Sequence, residues 1–186
     1  MSLQIIGILR RGLVLVCCLI GLAFLLIRAS VPAETDQLTR VKTGEMAPDF
    51  TVTTLDGSEF RLQTHRGKVV LVNFFATWCG PCMAETPHLE NDIWRPFKVK
   101  GLEVIAIGRG EDDAVLARFQ KEKGFTFPIA ADRAGRIYGK FAKELIPRAF
   151  LISRNGKVVF GSVGYSEGGI ADLLTALERE FTGREP

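Results

Sequence analysis

Two cysteines, Cys79 and Cys82, are the residues of this chain whose types and spacing most directly predict chemistry. They follow an apolar segment, residues 69–76, and stand where a helical pattern begins. Residues at this spacing at the start of a helix lie about one turn above each other, so the two sulfurs can form a disulfide without a backbone movement. The spacing therefore predicts a reversible disulfide.

The start of a helix also makes a thiol more acidic. Cys79 lies where backbone N–H groups without helical partners and the helix dipole favour an anion, so we expect its thiolate to form more readily than that of a free cysteine. Pro81, after Gly80, suits the first helical turn because its missing N–H would have no partner there. Cys79 is thus the predicted nucleophile, and Cys82 is predicted to be more buried and protonated.

In thiol-disulfide exchange, Cys79 would attack a partner disulfide and Cys82 would then attack Cys79 to release the reduced partner. Cys82 needs a base for this step. Glu85 follows it by three residues on the same helical face, and partial burial would raise the pKa of its carboxyl group. The alternative interpretation of Glu85 is a surface glutamate near the positive end of the helix dipole.

A Cys-x-x-Cys pair is also half of many zinc sites. A structural zinc ion normally needs four ligands, and the chain after residue 33 has no second cysteine pair and no closely spaced histidines. The pattern therefore favours redox chemistry over zinc binding. We expect no metal ion and no cofactor other than the disulfide itself. His65 and His88 are expected to be surface residues.

The elements that position the cysteines alternate between strand and helix, which predicts one α/β domain with a parallel βαβ unit around the cysteine pair. The hydrophobic fraction of 47% is ordinary for a globular protein. The predicted elements are a hairpin of 50–55 and 59–62, a strand at 69–75, a helix from Gly80 that bends or ends near Pro96, a strand at 102–107, a helix at 111–123, a strand at 126–130, a short helix at 137–141, a hairpin of 149–152 and 158–160, and a helix at 168–181.

The first 33 residues differ from the rest of the chain. They hold three arginines and no acid, so the other 21 basic residues balance all 21 acidic ones, and this neutral body gives no support to nucleic-acid binding. Gly12–Ile27 is an uncharged run of 16 residues, about 24 Å as a helix against a bilayer core of ~30 Å. The run fits either an uncleaved membrane anchor or a signal peptide cleaved near residues 31–33. Either one would export the body.

Three further expectations concern this region. Arg10-Arg11 is interpreted as the ordinary positive charge that precedes an apolar membrane or signal segment, rather than as a twin-arginine signal. Cys17 and Cys18, inside the apolar run, are expected to have no redox role. Residues 34–43 are polar and are interpreted as a tether, which leaves 44–186 as the folded domain.

The cysteine motif and its surroundings resemble the thioredoxin superfamily, and within it the TlpA/ResA-like thiol-disulfide oxidoreductases of the AhpC/TSA-like group. The resemblance extends from about Val41 to the C-terminus. It is carried by Gly44-Glu45-Met46-Ala47-Pro48-Asp49-Phe50, Leu55-Asp56-Gly57, Gly67-Lys68-Val69-Val70-Leu71-Val72-Asn73-Phe74, Trp78-Cys79-Gly80-Pro81-Cys82, Glu85 and Ile146-Pro147-Arg148-Ala149-Phe150-Leu151-Ile152.

This resemblance implies a thioredoxin-like fold, with a central mixed sheet flanked by helices, an N-terminal β-hairpin and a central helix–strand insertion. It implies a cis peptide bond before Pro147, facing the disulfide, with the backbone of Ile146 binding an extended substrate segment. Trp78 and Phe75 would shape an apolar lip, although core packing is an equal alternative for Trp78. Asn73 stands where cytoplasmic thioredoxins carry a buried aspartate, so a proton relay would depend on Glu85 or water.

The function that the resemblance implies is extracytoplasmic thiol-disulfide exchange, with Gly80-Pro81 resembling the reducing members. Implied partners are exported cysteine proteins such as apocytochrome c, and a membrane thiol transporter of the DsbD/CcdA type as electron donor. The motif itself does not fix the direction of electron flow.

A thiol peroxidase is an alternative function, but Ala76 stands where peroxiredoxins carry Thr or Ser. A Sco-like copper-binding module is a second alternative, but it would need a wider cysteine spacing and a distal histidine.

Overall fold

The computed structural model describes residues 37–183, and its strands and helices alternate as the sequence predicts. In chain order they are β1 (Thr51–Thr53), β2 (Glu59–Arg61), β3 (Val70–Phe75), α1 (Gly80–His88), α2 (Arg95–Lys98), β4 (Glu103–Arg109), α3 (Asp113–Lys123), β5 (Ile129–Asp132), α4 (Tyr138–Phe141), β6 (Arg148–Ile152), β7 (Val158–Gly161) and α5 (Glu167–Thr182).

The sheet that carries the cysteine motif has five strands in the order β5-β4-β3-β6-β7. Strands β3, β4 and β5 run parallel, whereas β6 and β7 are antiparallel to their neighbours. The pair β1 and β2 forms a separate antiparallel hairpin. This arrangement confirms the predicted mixed sheet, the N-terminal hairpin and the α3–β5 unit that extends the sheet beyond β4.

Strand β3 is buried along its whole length, and its residues alternate between two hydrophobic cores. Leu71 and Phe75 point to the face covered by α1, α3 and α5, whereas Val70, Val72 and Phe74 point to the face covered by the hairpin and α4. Successive residues of a strand point to opposite faces. This alternation places Asn73 on the same face as α1.

The helical segment after the cysteines changes its hydrogen-bond pattern before it ends. A π-helical segment, Leu89–Trp94, separates α1 from α2, and Pro96 lies in the first turn of α2. Pro87 in the last turn of α1 has no N–H to donate to the carbonyl group four residues earlier, and a wider turn follows it. The helical run as a whole ends at Lys98, two residues after Pro96, which agrees with the predicted end near Pro96.

The predicted strand at 126–130 begins later, at Ile129. Thr126 donates its N–H and its hydroxyl group to the two carboxylate oxygens of Glu90, at 2.8 and 2.7 Å. Because these groups are bound to a side chain, Thr126 does not take part in the sheet. The contact ties the π-helical segment to the loop before β5.

Residues 38–42, which the sequence analysis assigns to a tether, contact the domain. The guanidinium of Arg148, fully buried, donates to the Leu38 carbonyl group at 2.7 Å and to the Thr39 hydroxyl group at 3.0 Å. Lys143 N–H also donates to the Leu38 carbonyl, and the side chain of Val41 is buried in the core on the hairpin side. Among the described residues, contacts with the folded domain thus extend back to Leu38.

The predicted anchor or signal segment, residues 1–33, lies outside the described residues. Within 37–183, no helix has both the length and the apolar character needed to cross a bilayer.

Truncation tests the role of Leu38 and Thr39. A chain that starts at residue 40 loses both acceptors of the buried Arg148 guanidinium, and we expect its free energy of unfolding to fall by about 3 kcal/mol, since hydrogen bonds to charged groups contribute more than neutral ones. A chain that starts at residue 37 keeps both acceptors and is the control. Urea unfolding compares the two; equal stabilities would contradict the assigned contact.

Candidate active site

The cysteine pair lies where β3 passes into α1. Cys79 is the N-cap residue of α1, and a disulfide joins it to Cys82, with the two Cα atoms 5.2 Å apart. The N–H of Cys82 points to Cys79 Sγ at 3.3 Å. Gly80 and Pro81 form the first turn, as predicted. In the reduced protein the same N–H would stabilise a thiolate at Cys79.

The two sulfurs differ in access to solvent. Cys79 is 6% exposed, and Cys82 is completely buried. This is the order predicted from the sequence, and it leaves Cys79 as the cysteine that another molecule can reach.

A loop before β6 faces the outer cysteine. The Ile146–Pro147 peptide bond is cis, and the carbonyl oxygen of Ile146 lies 3.8 Å from Cys79 Sγ. Leu145, with φ of 69°, precedes it, and the Tyr138 hydroxyl donates to the Leu145 carbonyl at 2.6 Å. The sequence analysis did not identify this support by Tyr138. It fixes the chain just before the residue that faces the disulfide.

Trp78 and Phe75 occupy different environments. The Trp78 side chain is 72% exposed next to Cys79, whereas Phe75 is completely buried and packs against Phe119. Of the two, only Trp78 can contribute to an apolar surface beside the disulfide. The expected lip role of Phe75 is wrong, because the strand alternation directs its side chain into the core.

Glu85 lies in α1, three residues after the cysteine pair, and its carboxyl group is buried. Its side chain is 5% exposed, and Asn73 Nδ2 donates to Glu85 Oε2 at 2.7 Å. Burial raises the pKa of Glu85 to about 7, because the charged form loses hydration; the Asn73 hydrogen bond and the nearby His88 act in the opposite direction. A carboxyl group with this pKa can accept or release a proton near neutral pH.

His88 continues the polar face of α1 toward solvent. Its Nδ1 lies 2.6 Å from an Asp92 carboxylate oxygen, and its Nε2 lies 3.2 Å from the Tyr165 hydroxyl, which donates to Glu167. His88 is therefore a surface residue, but it takes part in a hydrogen-bonded group between α1 and the start of α5.

Glu111 is a functional candidate that the sequence analysis missed. Its carboxylate, which is buried, accepts the N–H of Thr77 at 2.9 Å and also binds the Thr77 hydroxyl group. Thr77 precedes the Trp78–Cys79 pair, so Glu111 holds the loop that positions both. The signal available in the sequence is that Glu111 follows β4, whose carboxyl end lies beside that of its parallel neighbour β3.

Within residues 37–183, no group of three or more His, Cys, Asp or Glu side chains is arranged to hold a metal ion. The arrangement around Cys79 instead has the parts that thiol-disulfide exchange uses: a slightly exposed cysteine at a helix start, a completely buried second cysteine and a carboxyl group of raised pKa.

Comparison with known proteins agrees with this chemistry. Residues 42–177 match the Redoxin family. The thiol-disulfide oxidoreductase ResA of Bacillus thuringiensis is 38% identical over 125 residues, which are 67% of this chain and 72% of ResA.

Two solved structures have the same fold. One, from Bacteroides thetaiotaomicron and assigned to the protein disulfide isomerases, is 38% identical with a TM-score of 0.75, over 78% of this chain and 93% of that one. The other is a thioredoxin-family thiol:disulfide interchange protein from Chlorobium tepidum, 28% identical with a TM-score of 0.62, over 76% of this chain and 98% of that one.

The raised pKa of Glu85 predicts a pH-dependent stability of the oxidised protein. Glu85 titrates near 4.5 when unfolded and at about 7 when folded, so its contribution is fully present below pH 4.5 and is lost as the pH rises through 7. Gln at this position does not ionise, so the Glu85→Gln variant does not undergo this loss. The difference in free energy of unfolding, variant minus wild type, should therefore increase by about 3 kcal/mol between pH 4 and 8. Urea unfolding across this pH range measures the difference. Parallel stability curves would contradict the assignment.

The position of His88 gives a second prediction. Since the cationic form of His88 favours an ionised Glu85, the substitution His88→Gln should raise the pKa of Glu85. Carboxyl ¹³C NMR titration of the oxidised protein measures this pKa. His65→Gln is the matched control, because His65 packs on Phe60 of the hairpin. An unchanged or lowered Glu85 pKa in the His88 variant would show that His88 does not act on it.

Proposed function

We propose, from the premise that the chain belongs to the Redoxin family and is a ResA-like thiol-disulfide oxidoreductase, that it reduces disulfides of proteins outside the cytoplasm. The observation that carries the proposal is the disulfide between an outer and a buried cysteine at the start of α1, with the outer sulfur facing the cis-Pro147 loop.

The reaction begins with the reduced protein. The Cys79 thiolate attacks one sulfur of the partner disulfide; a bond forms between Cys79 and that sulfur, and the other partner sulfur leaves as a thiolate, which takes a proton. Cys82 then loses its proton and attacks Cys79 Sγ, and the remaining partner sulfur leaves. This second sulfur also leaves as a thiolate and takes a proton. Two electrons pass to the partner, which gains one proton that matches the one lost by Cys82 and one from solvent to become a dithiol, and the protein is left with the Cys79–Cys82 disulfide.

Glu85 is the proposed acceptor for the Cys82 proton. Both side chains are buried, and they lie three residues apart on α1, which places them on one helical face. A pKa of about 7 lets Glu85 take the proton from Cys82 in the second step and release it afterwards. Asn73 cannot titrate, so its role is to hold the Glu85 carboxyl group.

The surroundings of Cys79 supply a substrate-binding surface. Backbone groups of Ile146, just before Pro147, would hydrogen-bond an extended segment of the partner, as in recognition by strand addition. Trp78, next to Cys79 in the chain, offers an exposed aromatic surface, and Gly80 and Pro81 on the other side in sequence are small and exposed.

The proposed direction and location follow from sequence features. Gly80-Pro81 between the cysteines resembles reducing members of the superfamily, and residues 1–33 have the pattern of an anchor or export signal. We therefore place the domain outside the cytoplasmic membrane, either anchored or released into the periplasm. The proposed substrates are exported cysteine proteins, including apocytochrome c, and the proposed electron donor is a membrane thiol transporter of the DsbD/CcdA type.

A trapping experiment tests the proposal. The reduced Cys82→Ser variant should form a stable mixed disulfide with a disulfide-bonded protein, because the residue that releases the partner is missing, and the same variant expressed in cells should capture exported proteins. Cys79→Ser is the matched control and should form far less adduct, since Cys82 is buried. Non-reducing gels and mass spectrometry identify the adducts. Equal adduct yields from both variants, or none from either, would contradict the proposed mechanism.

A further inference from the structure

A cavity of about 410 Å³ opens beside the cysteine motif, and we propose that it binds an acidic side chain of the disulfide-bearing substrate. The inference rests on the proposed function, since it names the kind of protein segment that Cys79 would attack. The lining residues are Trp78, Arg109, Gly110, Arg133, Ala134 and Gly135.

The sheet topology brings this cavity next to the disulfide. Strands β3, β4 and β5 run parallel, so the residues that follow them lie along one edge of the sheet. Trp78 follows β3, Arg109 is the last residue of β4, and Arg133 follows β5. Because Trp78 is adjacent to Cys79 in the chain, a substrate segment seated at the sulfur has its neighbouring residues at the mouth of the cavity.

The charges of the lining are all positive. Arg109 is half-buried, and its guanidinium lies 4.3 Å from the centre of the Tyr138 ring; within residues 37–183 it forms no ion pair. Arg133 is exposed and pairs with Asp112 at 2.9 Å and Asp113 at 3.3 Å. The free positive charge of the cavity is therefore mainly that of Arg109.

The backbone N–H groups of the two glycines that line the cavity already have acceptors. The N–H groups of Gly110 and Gly135 both donate to the Asp132 carbonyl at 3.0 Å. The small residues at 110, 134 and 135 leave space, and the charged groups of the lining are the two guanidinium groups. A guanidinium binds a carboxylate through two parallel hydrogen bonds, so Asp or Glu is the side chain that fits this lining.

The position of the cavity relative to Cys79 also predicts where the acidic residue lies in the substrate sequence. An extended segment advances about 3.3 Å per residue, and the cavity begins one residue from Cys79 in the chain. An acidic residue within about three positions of the substrate cysteine can reach Arg109, while its apolar neighbours lie against Trp78. Partners that carry a neutral residue at these positions lose the ion pair but can still react at Cys79.

A matched pair of disulfide-bonded fluorogenic peptides tests this inference. The peptides are identical except for Asp or Asn two residues from the reacting cysteine, and kcat/KM for their reduction is measured with the full-length protein. We expect wild type to prefer the Asp peptide by about three- to fivefold, the upper part of the range of exposed charge pairs, and this preference should fall with added salt.

Variants of the protein test whether the arginines of the cavity cause the preference for the Asp peptide. Arg109→Gln should reduce the preference for the Asp peptide to less than about twofold, Arg109→Lys should restore part of it, and Arg133→Gln should lower it without disturbing a buried contact. Arg118→Gln removes one positive charge from the surface of α3 and should keep the wild-type preference. Thermal melts check that each variant is folded.

The outcomes separate the two proposals. If wild type reduces both peptides equally, or if folded Arg109→Gln and Arg133→Gln keep the full preference, the acidic-side-chain subsite is wrong and the disulfide reductase remains. If wild type reduces neither peptide, the proposed function fails and the subsite fails with it.

Discussion

The site depends on a six-residue strand that is buried along its whole length and ends four residues before Cys79. Every residue of β3 lies in the interior, so its end has a fixed position relative to the strands on either side. That end places Cys79 at the N-cap of α1, where the Cys82 N–H points to its sulfur. The thiol chemistry is thus a consequence of how the strand is packed, since a cysteine elsewhere on the surface would lack this stabilisation of its thiolate.

The same strand accounts for the buried polar pair behind the disulfide. Alternation along β3 directs Asn73 toward α1, where it donates to Glu85. Burying a carboxyl group costs free energy, and the protein lowers that cost by keeping it partly protonated near neutral pH. Within residues 37–183, the Asn73 Oδ1 atom has no hydrogen-bond partner. An amide offers both a donor and an acceptor, so Asn73 is suited to a group that changes its protonation state during the reaction.

The fold and the reacting atoms could be predicted from local sequence patterns, whereas the supporting contacts could not. The apolar segment, the Cys-x-x-Cys spacing and the turn residues each act over a few positions, and all of them predict the observed order of elements. Glu111 holding Thr77, Tyr138 holding Leu145, and Arg148 holding residues 38 and 39 join parts of the chain that are distant in sequence. Such contacts depend on the side chains that tertiary packing brings together, and one sequence does not show them. Phe75 illustrates the same limit: its place in the strand could be predicted, but its role was assigned from resemblance rather than from the strand alternation.

In the proposed reaction, Cys79 and Cys82 interconvert between dithiol and disulfide as one reductant couple. The most direct measurement is a redox-buffer titration of the oxidised protein, with alkylation of free thiols and mass spectrometry at each potential. Both thiols should appear together in a single two-electron transition, with a midpoint at or below about −200 mV, the range of glutaredoxins. A pair that never changes state, or a midpoint near the −120 mV of a strong oxidant, would contradict the proposed reaction.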